Sequence, residues 1–266
     1  MTIPKPVTDM KVVILAGGRG TRIAEESRFK PKPLVEIGGR PILWHIMKIY
    51  SHYGFNDFII CGGYKQEAIK QYFFNYFVDN SDITFDLQDN GMEVRRSGCE
   101  PWKVTVVDTG LDTMTGGRIK RIRDYIGDNP FMVTYGDGVS DLSIPKLIDH
   151  HKKKGRMATL TAIMPGGRFG KLEIKDDDTI TSFVEKKRED GGWVNGGFMV
   201  MEPEIFDRIE GDDTALEDTL KILAENGQLA AYRHDGFWQC MDNIRDHEYL
   251  DKLASDKVNK APWIKW

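Results

Sequence analysis

Cysteine is scarce in this chain. Cys61, Cys99 and Cys240 are the whole complement, odd in number, far apart and without a Cys-x-x-Cys pair. That spacing speaks against a paired-cysteine zinc or redox centre and points to a reducing, cytoplasmic home. Long apolar runs are missing too: no uninterrupted stretch approaches the ~20 residues of a membrane span, and the opening "MTIPKPVTDM" lacks the apolar core of a signal peptide. No membrane association is expected. Nor is there a basic excess. The net charge of −4 argues against a nucleic-acid-binding stripe, so anionic ligands must be met by a local site. Repeats, low-complexity tracts, heptads and a Pro/Ser-rich linker are absent as well, which leaves residues 1–266 as one mixed domain.

What is present is a large apolar complement. Hydrophobic residues make up 40% of the chain, with 13 Phe and six Trp, and a chain of this size buries roughly 70–75% of its unfolded surface. Short β-branched runs predict strands at "KVVIL" (11–15), "FIIC" (58–61), "KVTVV" (103–107), "FMVTY" (131–135) and "MATLTAI" (157–163). Helical spacing of Ile42, Ile46, Ile49, Tyr50 and Tyr53, and of Ala68, Ile69, Tyr72, Phe73 and Tyr76, predicts two amphipathic helices between them. Strands alternating with helices define an α/β protein with a Rossmann-like, mixed and mostly parallel sheet flanked by helices. After about residue 165 the strands shorten ("KLEIK", "TITSFVE", "GGFMVM"). Two helical segments follow, "EPEIFDRIE" and "ALEDTLKILAENG", the second closed by Gly227. We therefore expect a nucleotide-binding half, about 10–165, and a substrate-binding layer, about 166–266. The stretch from Asn90 to Trp102 fits neither period and reads as an excursion at a surface or subunit contact.

The most informative segment is "KVVILAGGRGTRIAEESRFKPKPLVEIGGRPILWHIM" (11–47). Its glycines follow a strand directly, at the carboxyl end where open α/β sheets bind ligands, and glycine lets backbone N–H groups approach phosphate oxygens. The string is neither a P-loop, which would need Gly-x-x-x-x-Gly-Lys-Ser/Thr, nor a complete dinucleotide fingerprint, since the third glycine is missing. Arg22 follows the last glycine, and Pro31 and Pro33 bracket Lys32, holding that lysine on a stiff, extended backbone. Further on, Asp137 stands between two glycines at the end of a predicted strand. There a carboxylate can project as a hard oxygen ligand for Mg²⁺, or simply close a turn through an Asx bond.

The string "LAGGRGTR…KPKPLVEIGGRPIL" resembles the signature of the sugar-1-phosphate nucleotidylyltransferases. "YGDG" (135–138), "RFGKLEI" (168–174), "FVEKK" (183–187), "VNGGFMV" (194–200) and "GFWQCMDNIRD" (236–246) resemble, in order, later motifs of the branch that joins cytidylyl groups to glucose 1-phosphate. The resemblance implies the nucleotide-diphospho-sugar transferase fold. It also implies Mg²⁺-dependent transfer from CTP to α-D-glucose 1-phosphate, giving CDP-glucose for dideoxyhexose and O-antigen supply, and a homo-oligomer of hexamer type. By the same resemblance Leu15, Ala16, Gly17, Gly18, Gly20, Thr21, Arg22, Lys32, Thr113, Arg118 and Gly136 bind nucleotide. Arg22, Lys32 and Asp137 serve catalysis, Asp137 and Asp242 hold the metal, and Gly170, Glu185, Lys186, Asn195 and Gly196 bind the sugar phosphate. Lys187 stands where the family more often has proline.

Two alternatives stay open from the sequence: a related pyrophosphorylase using dTTP, UTP or GTP, and a non-catalytic nucleotide-sugar-binding regulator on the same fold. Arg118 is expected to present its forked donors to the acceptor edge of cytosine. His150 and His151 read as helix-end capping or solvated residues, "HHKKKGR" as a solvated helix end, and "YFFNYF" (72–77) as core on a helix face.

Overall fold

The computed structural model describes residues 10–20, 30–164, 171–184 and 192–266. Strand β1 (Val12–Leu15) is buried along its whole length. A 3₁₀ turn (Lys32–Leu34) leads to the small ribbon β2 (Glu36–Ile37) and β3 (Arg40–Pro41), then to helix α1 (Ile42–His52). Strand β4 (Asp57–Gly62), helix α2 (Gln66–Asp79), the pair β5 (Ser81–Asp86) and β6 (Gly91–Ser97), and strand β7 (Lys103–Asp108) follow. Two short helices, α3 (Thr115–Lys120) and α4 (Arg123–Ile126), precede β8 (Phe131–Tyr135), β9 (Gly138–Ser140), α5 (Ile144–Lys154) and β10 (Ala158–Ile163). The remainder comprises β11 (Lys171–Ile174), β12 (Ile180–Val184), β13 (Val194–Met201), α6 (Leu216–Glu225), β14 (Leu229–His234), β15 (Trp238–Cys240) and α7 (Ile244–Ser255).

Seven strands form the central sheet in the order β14-β10-β13-β8-β1-β4-β7. Strands β8, β1, β4 and β7 run parallel, as do β10 and β14, while β13 lies antiparallel between β8 and β10. The expected mixed, mostly parallel sheet is therefore present. Because side chains alternate across a strand, Val12 and Ile14 enter one core with Ile42, Ile46, Tyr50, Phe58 and Phe198. Val13 and Leu15 enter the opposite core with Ile59, Phe131, Val133 and Met199. Burial on both faces explains why these strands read as unbroken apolar runs, each fully buried Val, Leu, Ile or Phe contributing about 1.5–3 kcal/mol.

Four readings change. The excursion at 90–102 contains β6, one arm of a hairpin with β5 whose seven residues Gly91–Ser97 are all exposed. With neither face buried, no alternation marked it. On α2, Tyr76 is buried, but Phe74 and Phe77 are exposed, so only part of "YFFNYF" is core. "EPEIFDRIE" forms a 3₁₀ segment, Pro203–Arg208, in place of an α-helix. His151 is buried, and its ring nitrogens bond Thr159 Oγ1 (2.9 Å) and Glu202 Oε1 (3.0 Å), tying α5 to the sheet in place of a solvated cap. Gly227 does sit past the end of α6 at φ +63°, as a C′ glycine should. Among the described residues, no helix is long and apolar enough to cross a membrane.

Candidate active site

Strand β1 lies between β4 and β8, with Leu15 registered against Cys61 on one side and Tyr135 on the other. From β1 the chain first builds outward through β4 and β7, then returns to add β8 on the other flank. The carboxyl ends of β1 and β8 are thus a topological switch point, where open α/β sheets leave a crevice. Gly136 N–H donates to the Leu15 carbonyl (3.0 Å) and Tyr64 N–H to the Gly17 carbonyl (3.1 Å), fixing both loops at the sheet edge. A cavity of about 530 Å³ opens there, and Leu15, Ala16, Gly17, Gly18, Gly20, Lys32, Thr113, Arg118, Gly136, Asp137 and Asp242 all line it. A Cβ added at Gly17 would lie 2.2 Å from Arg118 Nη1, whereas one at Gly18 would meet nothing within 4 Å. The first glycine is required by packing, and the second leaves room for a ligand.

The centre of the crevice is ionic. Pro31 holds an extended backbone (φ −64°, ψ 147°) and Pro33 is buried behind Lys32. The lysine ammonium reaches Asp137 Oδ2 at 2.5 Å and Asp242 Oδ1 at 2.9 Å. Burial opposes its charge, but the two carboxylates outweigh that cost and hold its pKa above the usual lysine value. Asp242 arrives here through two contacts remote in sequence: β15 pairs with β9, Cys240 against Gly138, and Met241 N–H donates to the Asp137 carbonyl (2.8 Å). Immediately afterwards Asn243 and Asp246 form a reciprocal capping box at the start of α7, which fixes where the chain leaves Asp242.

Arg118 is in the cavity wall and buried, but its donors do not form the free fork expected from the sequence. Nη1 donates to the carbonyls of Gly62 (3.0 Å) and Gly110 (2.7 Å) and to Thr109 Oγ1 (2.8 Å), and Nη2 to the carbonyls of Gly17 and Leu111 (both 3.2 Å). The guanidinium ties the loops after β1 and β7 to the carboxyl end of β4. Desolvation by burial lowers its pKa from the usual arginine value.

Sequence reasoning missed the opposite wall. Glu217 accepts from Tyr135 Oη (2.6 Å) and from Thr115 Oγ1 (3.1 Å), and Thr115 Oγ1 accepts from Leu216 N–H (2.8 Å). All three residues other than Leu216 line the cavity. Burial, reinforced by the Glu217 carboxylate, raises the Tyr135 pKa and keeps the phenol a donor. Tyr135 directly precedes the Gly-Asp-Gly run, a position that could have flagged it. Nothing local distinguishes Glu217 within its helix. Asn195 and Gly196 lie on β13, one strand beyond β8 and outside the cavity lining. Asn195 Oδ1 accepts from Gly197 N–H (2.8 Å), and the Gly196 carbonyl accepts from Trp238 Nε1–H (2.6 Å). Thr21, Arg22, Gly170, Glu185 and Lys186 lie outside the described residues.

Among the described residues, no group of three or more His, Cys, Asp or Glu side chains could hold a metal ion. Asp137 and Asp242 nevertheless converge on one cationic atom, Lys32 Nζ. Two hard oxygen donors of this kind suit a divalent cation that completes its shell with phosphate oxygens and water. A glycine loop at a strand end, a lysine and a carboxylate pair thus share one crevice, the groups that phosphate chemistry calls on.

Residues 11–246 match the model of the nucleotidyl transferase family, and the chain belongs to that family. It is 54% identical to a glucose-1-phosphate cytidylyltransferase of Salmonella typhimurium, over 97% of this chain and all of the relative. A mannose-1-phosphate guanyltransferase of Saccharomyces cerevisiae is 29% identical over 94% of this chain and 68% of its own length. Among solved structures, HddC from Yersinia pseudotuberculosis superposes with a TM-score of 0.73 at 26% identity, covering 91% of this chain and 98% of that one.

Proposed function

We propose that the protein transfers a cytidylyl group from CTP to α-D-glucose 1-phosphate. A phosphate oxygen of the sugar phosphate attacks the α-phosphorus of CTP, the bond from that phosphorus to the β-bridging oxygen breaks, and pyrophosphate leaves with CDP-glucose as the other product. The reaction type is carried by one observation: Lys32 and two carboxylates converge inside the crevice that the glycine loop opens. Cytosine and glucose are supported by the similarity to the Salmonella relative across its entire length, against relatives that differ in base and sugar.

Bringing two polyanions together makes positioning and charge neutralisation the main tasks of the protein. In this reading the backbone at Gly17 and Gly18 receives the triphosphate, Lys32 stabilises charge developing at the α-phosphate, and Arg22 shares the phosphate load. Asp137 and Asp242 would hold Mg²⁺, which supplies neutralisation of the phosphate oxygens. Thr113 and the Arg118-anchored carbonyls surround the base, while Gly170, Glu185, Lys186, Asn195 and Gly196 serve the sugar phosphate. The crevice half of the sheet thus carries the nucleotide and the layer beyond β8 the hexose.

The product is an activated sugar suited to dideoxyhexose and O-antigen assembly in the cytoplasm, a location supported by free Cys61, Cys99 and Cys240. A homo-oligomer, of hexamer type, is supported by the apolar surface that Phe85, Leu87 and Met92 of the hairpin segment and Phe74 of α2 leave exposed. A pyrophosphate-release assay across CTP, UTP, dTTP and GTP with several sugar 1-phosphates tests the reading. CTP with glucose 1-phosphate should give the highest kcat/KM. Release that is equal for CTP and dTTP would reject the cytidylyl assignment, and no release with any pair would leave a binding protein.

A further inference from the structure

We propose that Lys32 is a built-in counter-ion: it occupies the cation seat between Asp137 and Asp242 until a nucleotide arrives, so that the site takes a divalent cation only as its nucleotide complex. This rests on the reading above that the two carboxylates hold the metal. One Asp137 oxygen and one Asp242 oxygen point at the same atom, Nζ, at 2.5 and 2.9 Å, and a small divalent ion would need those oxygens at about 2.0–2.1 Å. Two cations cannot share that point. Moving the ammonium to other lone pairs of the same carboxylates would leave it within a few ångströms of a doubly charged ion, in a cleft where the lysine side chain is only 13% exposed and water screens poorly.

Charge counting gives the order of events. Asp137, Asp242 and Lys32 together carry −1, so a free divalent ion would leave the cluster at +1 and the displaced ammonium without a partner. A triphosphate changes both terms. It brings excess negative charge and offers phosphate oxygens to the released ammonium, and it completes the shell that two carboxylates cannot fill alone. Lys32 would then move from the carboxylates to the reacting phosphates. The stiff Pro31-Lys32-Pro33 backbone anchors that swing at Cα while the flexible four-carbon stem makes it.

The test is Mn²⁺ binding to the full-length protein by electron paramagnetic resonance, with and without a non-hydrolysable CTP analogue. Unaltered protein should bind Mn²⁺ weakly alone and tightly with the analogue. Lys32→Met should bind free Mn²⁺ at least ~10-fold more tightly than the unaltered protein, because a repelling charge has gone. Lys32→Arg, which keeps the charge, should stay weak, and circular dichroism would establish that each variant is folded. Asp137→Asn and Asp242→Asn separate the metal-holding role of the carboxylates from the counter-ion role of Lys32. If Lys32→Met gains nothing while the Asn variants still lose nucleotide-dependent Mn²⁺, the carboxylates hold the metal and the counter-ion role is refuted. Should Mn²⁺ binding be indifferent to both aspartates, the metal assignment itself falls, and the counter-ion proposal with it.

Discussion

Replacing Gly17 by alanine should damage the protein through Arg118, and replacing its neighbour should not. A Cβ at Gly17 would sit 2.2 Å from Arg118 Nη1 and 2.4 Å from Cζ, where ordinary contact needs roughly 3.5 Å. The guanidinium must therefore shift by more than an ångström, and its contacts to Gly62, Thr109, Gly110, Gly17 and Leu111 span only 2.7–3.2 Å. Hydrogen bonds to a charged donor contribute about 1.5–3 kcal/mol each, and a buried charge that loses its partners costs about 3–5 kcal/mol. Relaxation recovers part of this, so we expect Gly17→Ala to lose about 3 kcal/mol. Gly18→Ala, whose Cβ meets nothing within 4 Å, should stay within ~0.5 kcal/mol of the parent. It should instead raise KM for CTP by intruding on ligand space. Urea unfolding midpoints and pyrophosphate-release kinetics on the two variants form the assay. A Gly17→Ala protein that unfolds at the parental midpoint, or a Gly18→Ala protein that loses as much stability, would refute the claim that the first glycine exists to seat the guanidinium.

Lys32→Ala should lower kcat by ~10²–10³, the usual cost of removing one preorganised electrostatic group, with a smaller change in KM for glucose 1-phosphate; steady-state kinetics showing an unchanged kcat would remove it from the chemistry. Arg118→Ala should raise KM for CTP and reduce the preference for CTP over UTP and dTTP, since the Gly17, Gly110 and Leu111 carbonyls lose their common anchor, while metal dependence persists; Arg118→Lys, lacking the fork, should not restore the preference in the nucleotide panel. Chelation of divalent metal should abolish pyrophosphate release, and Asp137→Asn or Asp242→Asn should each raise the Mg²⁺ concentration for half-maximal rate, a carboxamide being a weaker ligand without charge. The last concerns pH. His45 Nε2–H donates to the Ile37 carbonyl (2.9 Å) and its Nδ1 accepts from Trp263 Nε1–H (3.2 Å), an arrangement only the neutral ring can make. Burial depresses its pKa from 6.5 to about 4. The stabilisation is complete above pH 6.5 and is lost as pH falls toward 4, by about 3 kcal/mol in all. Urea midpoints from pH 7.5 to 4.5 should fall more steeply in the parent than in His45→Gln.

The elements legible in the sequence share a property: their signal is local. Strands β1, β4, β8 and β10 are marked by apolar and β-branched runs, because burial on both faces leaves little room for charge; β7, at the sheet edge and only partly buried, is marked by its β-branched residues. The prolines around Lys32 and the glycines after β1 and around Asp137 are legible for the same reason, since each fixes backbone geometry within one or two residues. The resemblance of those strings to a known family marked further residues, and of these Leu15, Ala16, Gly20, Thr113 and Arg118 line the same crevice. Where a strand buries nothing, as in β6 of the hairpin, no pattern is imposed and the strand goes unread.

Tertiary structure alone decided what meets what. Lys32, Asp137 and Asp242 are separated by 105 and 210 positions, and they converge only because β8 lies beside β1 and β15 pairs with β9. The resemblance led us to expect Arg118 beside the base, but the sequence cannot show its donors committed to main-chain oxygens, since carbonyls have no residue type to betray them. Glu217 gains its role from Tyr135 on a strand and Thr115 on another helix, and His151 from Thr159 and Glu202. A residue's type and near neighbours set which backbone shapes and chemistries it can offer, and those are written along the chain. Which partners neutralise it depends on long-range strand order and register, a cooperative outcome of burying the whole sheet at once that no local window contains.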